Sequence, residues 1–149
     1  MKIFITMILA IQLPLFGLWG QTLKDFKKKT ESNAKDRTEM LDLLRNNVKI
    51  NYDLDVKFVV NHFKVYGSYA WMEGEVQRKD GKNIVFNEDG YGCCHIEALF
   101  NKANGAWNLQ ESVAFSTDVW YVCILSDYPQ ANQQIFSSQV IGVQEPCGD

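Results

Sequence analysis

The sequence lacks the motifs that would assign it a reaction directly. It contains no nucleophile elbow, P-loop, dinucleotide-binding glycine fingerprint or His-Glu-x-x-His helix, so the chemistries those motifs carry have no support here, and no cofactor is implied. It has no excess of basic residues. Fifteen Lys and Arg stand against 18 Asp and Glu, a net charge of −3, and the electrostatic footprint of a nucleic-acid-binding protein is missing. There is no internal repeat and no low-complexity tract, and the helical stretch shows no heptad run that would indicate a coiled coil. Beyond the first twenty residues, no apolar stretch is long enough to span a bilayer. What is present is a chain of 149 residues, 46% hydrophobic and 22% charged. That balance belongs to one globular domain with at most a short appendage, and it excludes a wholly disordered or collagen-like chain.

The one long apolar run is at the start. Met1-Lys2 is a minimal positive region. Ile3 to Trp19 is apolar apart from Thr6, Gln12, Pro14 and Gly17, and a lysine-rich polar stretch begins after Gln21. This reads as a secretory signal peptide over 1–20, cleaved after Gly20. An uncleaved anchor is the rival, but the run is short and Pro14 and Gly17 weaken it as a helix. A secreted or periplasmic protein without stable membrane insertion follows. Export also changes how the four cysteines are read, because outside the cytoplasm an even number favours disulfides over metal sites.

Residues 21–32 read as a polar arm with little to bury, and 33–136 as the domain. From Asn33 to about Val48 the period is helical, with Asn33 as the cap, Arg37, Met40, Leu41, Leu44 and Val48 near one face, and Leu43 widening it. The period then drops to two. Val56–Tyr66 and Tyr69–Gln77 form a hairpin, Ile84–Phe86 a short strand after the Asp80-Gly81 turn, and Cys93–Asn101 with Trp107–Phe115 a second hairpin through Asn104-Gly105. Ser116-Thr117-Asp118 then offers a cap for a short helix ending before Pro129, with a strand as the alternative because Val119, Tyr121, Val122 and Ile124 favour β, and Pro129 introduces a turn or short helix to Phe136. Residues 137–149 read as a C-terminal tail. The expected fold is α+β: one N-terminal amphipathic helix on a curved antiparallel sheet of four to five strands, the plan of cystatin-like and nuclear-transport-factor-like folds. Leu41, Leu44, Phe58, Val60, Ile96, Ala98 and Phe100 are expected to form its core.

The segments Cys93-Cys94-His95-Ile96-Glu97-Ala98-Leu99-Phe100 and Phe115-Ser116-Thr117-Asp118-Val119-Trp120-Tyr121, followed by Tyr128-Pro129 to Ile135-Phe136, resemble a group of small exported bacterial proteins of uncharacterised function. The resemblance covers most of 36–136 and implies an exported single domain. It brings no reaction, ligand or catalytic residue with it. Asn132 stands where the group's pattern often has Pro.

Several constellations are candidates for chemistry. Cys93 with His95 or His62, oriented by Asp118, would supply a thiolate, a base and an orienting acid for a small hydrolase. That reading needs a free Cys93, which export argues against. Cys93, His95 and Glu97 on one strand face would offer three metal ligands, but the spacing matches no zinc signature. Glu73, Glu75, Glu97 and Glu111 are candidates for a carboxylate pair. Tyr69, Trp71 and Trp107 are candidates to line a concave binding face. The leading expectation is a non-catalytic module that binds a small ligand or an envelope partner. For the cysteines, strand alternation sends Cys94 inward and Cys93 outward, so Cys94–Cys123 and Cys93–Cys147 are the expected bridges. A Cys93–Cys94 bond ranks last.

Overall fold

The computed structural model describes residues 21–86, 91–145 and 147. The signal segment 1–20 and residues 87–90 lie outside the described residues. Five antiparallel strands, β1 (Lys24–Asp25), β2 (Val56–Tyr66), β3 (Tyr69–Arg78), β4 (Tyr91–Ala103) and β5 (Ala106–Ser116), lie side by side in chain order. Helix α1 (Ala34–Tyr52) stands between β1 and β2, and two short helices, α2 (Ile124–Asp127) and α3 (Ser138–Gly142), follow β5. The architecture is α+β. Among the described residues no helix is long and apolar enough to cross a membrane.

The β4–β5 turn forms as its residues dictate: Asn104 (φ 53°) and Gly105 (φ 82°) both take the left-handed conformation that joins strands of natural twist. Gly74 has a different role. A Cβ there would lie 2.4 Å from the Val59 carbonyl oxygen, beside the irregularity that separates Val60 from His62 in β2, so only glycine lets the two strands approach.

Three sequence expectations about the elements are corrected. The helix is not the first element, because part of the supposed arm 21–32 is strand. Lys24 pairs with Val65 and Asp25 with Lys64, and Phe26 is buried against Phe63. A single anchoring Phe in a lysine-rich stretch gives too little periodicity to reveal this. Asn33 precedes α1 but does not cap it through its side chain. Its Oδ1 accepts from Thr30 N and its Nδ2 donates to Lys28 O, fixing the entering chain instead. Residues 84–86 are not a strand, although Ile84 and Phe86 still pack on the core.

One face of the sheet packs against α1. Met40, Leu41, Leu44 and Val48 are buried together with Phe63, Met72, Ile96, Ala98 and Phe100. Of the expected core, Phe58 and Val60 are only partly buried, because β1 covers just one end of β2 and leaves their flank open. Polar bonds fix the helix along β4 and β5. Glu39 Oε1 accepts from Trp107 N at 2.9 Å, and the Tyr52 hydroxyl donates to Ala114 O at 3.2 Å. Lys102 Nζ reaches both Asp36 carboxylate oxygens at 3.0 Å. Phe115 takes a positive φ of 65° at the end of β5, and its ring stays in this core against Tyr52 and Phe86.

The other face is covered too. Trp71 and Leu99 are buried beneath Tyr121, Ile124, Ala131, Ile135, Phe136 and Val140. The described part of the expected tail, 137–145 and 147, is therefore not simply a tail: α3 seats Val140 in this second core, and Cys147 is bonded to Cys123.

Candidate functional site

Strand alternation and register place a row of ionisable groups on the sheet face beneath the C-terminal layer. His62 of β2 lies opposite Glu73 of β3, Glu73 opposite Glu97 of β4, and Glu75 opposite His95. Glu73 and Glu97 are thus direct cross-strand neighbours of like charge, a pairing that disfavours two ionised carboxylates. Two indoles supply donors: Trp71 Nε1 to Glu73 Oε1 at 2.6 Å and Trp120 Nε1 to Glu97 Oε2 at 3.2 Å. His95 Nε2 contacts Glu97 Oε1. His62 Nε2 donates to the Ile135 carbonyl at 2.6 Å, and the Tyr128 hydroxyl donates to Glu111 at 2.8 Å. These bonds join the sheet to its cover at three points.

Glu97 is only 6% exposed. Burial raises its pKa, the Trp120 N–H and His95 oppose the shift, and the Glu73 charge adds to it, with a net rise above the ordinary 4.5. The folded chain therefore keeps this proton to higher pH than the unfolded chain does. The stability that the protonated form contributes is complete below pH 4.5 and is lost as pH rises through the folded value. Asp53 and Asp80 are held below 3.8 by Lys49 and Arg78, so their windows end before this one begins. Glu97→Gln is expected to flatten the decline in unfolding free energy above pH 4.5, as read by denaturant titrations across pH. Equal slopes in variant and wild type would show that Glu97 does not titrate there.

The hydrolase constellation does not assemble. Cys93 is bonded to Cys94, so it offers neither a nucleophilic thiolate nor a metal ligand. His95 turns to Glu97, and His62 to a backbone carbonyl. Asp118 is exposed, its N–H donating to Ser116 Oγ. Nor does Asp118 cap a helix. Val119 precedes the 3-10 turn Trp120–Cys123, without a side-chain cap. The carboxylate pair is formed by Glu73 and Glu97, but under cover. Glu75 faces His95 at the exposed end of the row, and Glu111 holds Tyr128.

The binding aromatics are separated by the sheet. Trp71 is fully buried in the second core, with Tyr69 packed beside it. Trp107 belongs to the helix-side core, where Lys102 Nζ lies 5.3 Å from its ring centroid. Among the described residues its indole N–H has no partner. The open concave face these residues were expected to line is filled by residues 120–143.

The expected disulfide pairing is also corrected. Cys123 bonds Cys147, with Cα atoms 5.6 Å apart, and Cys93 bonds Cys94. Cys123 and Cys147 meet because the C-terminal layer folds on itself: Glu145 N donates to Val122 O at 3.1 Å, and the Gln144 side chain donates to Tyr121 O. Cys93 and Cys94 lie at the opening end of β4, where the register with β5 is interrupted between Tyr91 and Ile96. Strand alternation therefore does not send Cys94 into the core, and both cysteines line one cleft.

That cleft, about 660 Å³, lies at the end of the sheet away from the hairpin turns. Its wall combines Lys57, Arg78 and Lys82 with Val76, Ile84, Val85 and the Cys93–Cys94 pair. Asp80 neutralises Arg78 through two bonds, Nε to Oδ1 at 2.9 Å and Nη2 to Oδ2 at 2.6 Å. Among the described residues neither Lys57 nor Lys82 makes a side-chain ion pair, although Lys82 N donates to Asp80 Oδ1 at 3.0 Å and its charge helps hold that carboxylate ionised. A smaller cleft of about 180 Å³ beside Trp120 and Tyr128 carries Glu111 and Asp127 instead. The chain matches no protein-family model, no curated protein and no solved structure. Fold and site define a small α+β domain with two disulfides and a cationic, partly apolar cleft at one sheet end.

Proposed function

We propose that this chain is an exported, non-catalytic binding module of the cell envelope, and that its ligand seat is the cleft at the sheet end. One observation carries the reading. The sheet face that would otherwise form a concave pocket is closed by the C-terminal layer, whereas the 660 Å³ cleft is open and joins lysines that make no side-chain ion pair to apolar side chains. Such a wall suits a small ligand with a carboxylate or other anionic head and an apolar body. The leader-like segment 1–20 and the two cystines support export. The helix on its sheet face follows the cystatin-like or nuclear-transport-factor-like plan, to which this chain adds a second covering layer. Decanoate is a suitable probe. Its affinity, measured by titration calorimetry, should fall by about tenfold in the double variant Lys57→Ala and Lys82→Ala, a loss of about 1.4 kcal/mol. Absence of binding to the parent protein, or equal affinity in both proteins, would remove the cleft as the seat.

A further inference from the structure

The two disulfides differ in everything that decides what a disulfide does. Cys123 and Cys147 are 24 residues apart, and their bond closes a loop that ties the C-terminal layer together. Such a bond restrains the unfolded chain and thereby stabilises the fold. Cys93 and Cys94 are adjacent, so their bond closes no chain loop and adds almost no such restraint. Cys93 is exposed, and both residues stand in the wall of an open cleft. Lys57 and Lys82 line the same wall, where Arg78 is paired with Asp80, and nearby positive charge favours a thiolate.

We propose that Cys93–Cys94 is a thiol–disulfide exchange site, opened by a thiol reductant that enters the cleft, while Cys123–Cys147 is the structural bridge. An incoming thiolate attacks the exposed Cys93 Sγ. A bond forms between the two sulfurs, the Cys93–Cys94 bond breaks, and its electron pair leaves on Cys94 Sγ as a thiolate in the cationic cleft. A second thiolate attacks the reductant's sulfur in the mixed disulfide. This releases the oxidised reductant and leaves Cys93 as a thiolate. The two protons given up by the reductant thiols end on Cys93 and Cys94. The chain gains two electrons and the reductant is oxidised to its disulfide. The assignment does not depend on the cleft being a ligand seat.

Trypsin separates the two bridges cleanly. Lys82 and Lys102 bracket a peptide 83–102 that holds both Cys93 and Cys94, and no Lys or Arg follows Lys102, so 103–149 holds Cys123 and Cys147. Native protein is exposed to graded dithiothreitol, quenched in acid, alkylated and digested. Peptide 83–102 is expected to take up two labels at a reductant concentration at least tenfold below that which labels 103–149, with the near-ultraviolet circular dichroism unchanged. Labelling of both peptides together, or labelling of 83–102 only after the dichroism is lost, would overturn the proposal. Labelling of 83–102 without any reductant would overturn it as well, since no bridge would then exist to be exchanged.

Discussion

Trp71→Ala is expected to lower the unfolding free energy by about 3–5 kcal/mol, the cost of deleting a large buried aromatic side chain. Trp71 has no exposed surface, and its ring centroid lies 5.7 Å from Trp120, 6.1 Å from Tyr121 and 5.2 Å from Phe136. It is the sheet's main purchase on the C-terminal layer. Its indole N–H also bonds Glu73, so truncation leaves that acceptor without its donor. The loss should be uneven. Amide hydrogen exchange should accelerate in residues 120–143 while α1 keeps its protection, because α1 packs on the opposite face. A change below about 0.5 kcal/mol, the range of surface substitutions, would mean that the layer is not seated on this residue.

Leu44→Ala tests the other face. Leu44 is wholly buried in the cluster that joins α1 to β2, β3 and β4. A cost of about 2–5 kcal/mol is expected, with the spread set by how far the neighbours collapse into the space. Met40 and Val48, one turn away on either side, are equally buried and hold the helix in register, which limits that collapse. Chemical denaturation measures the loss. A value below about 0.5 kcal/mol would mean that the helix does not dock through this face.

The regular elements were legible in the sequence because their periods are long and their turn residues specific. Met40, Leu41, Leu44 and Val48 mark one helical face, and Asn104-Gly105 sets the last hairpin. The second layer was not legible for a physical reason. It is built from single anchors, Tyr121, Ile135, Phe136 and Val140, on short turns that have no period of their own and bury their side chains only against the sheet. For the same reason Trp71 read as a candidate for an exposed binding face. Alternation puts Tyr69 and Trp71 on one hairpin face, but nothing in β3 says that residues 120–143 return to cover it. The Glu73–Glu97 pair was visible as two acidic strand residues. Its directness depends on the β3–β4 register, which the length of chain between Arg78 and Tyr91 leaves open from sequence alone. The cysteine pairing failed because alternation was extended to residues 93 and 94, where the strand pairing is interrupted.

The central claim is that the second sheet face is closed by a C-terminal layer stapled to itself. A tryptic digest without reductant, analysed by mass, tests that connectivity most directly. Peptides 83–102 and 103–149 are expected to separate, each two hydrogens lighter than its dithiol form, because each carries its own bridge. A single species in which the two peptides are joined would place Cys93 or Cys94 on Cys123 or Cys147 and contradict the layer as described.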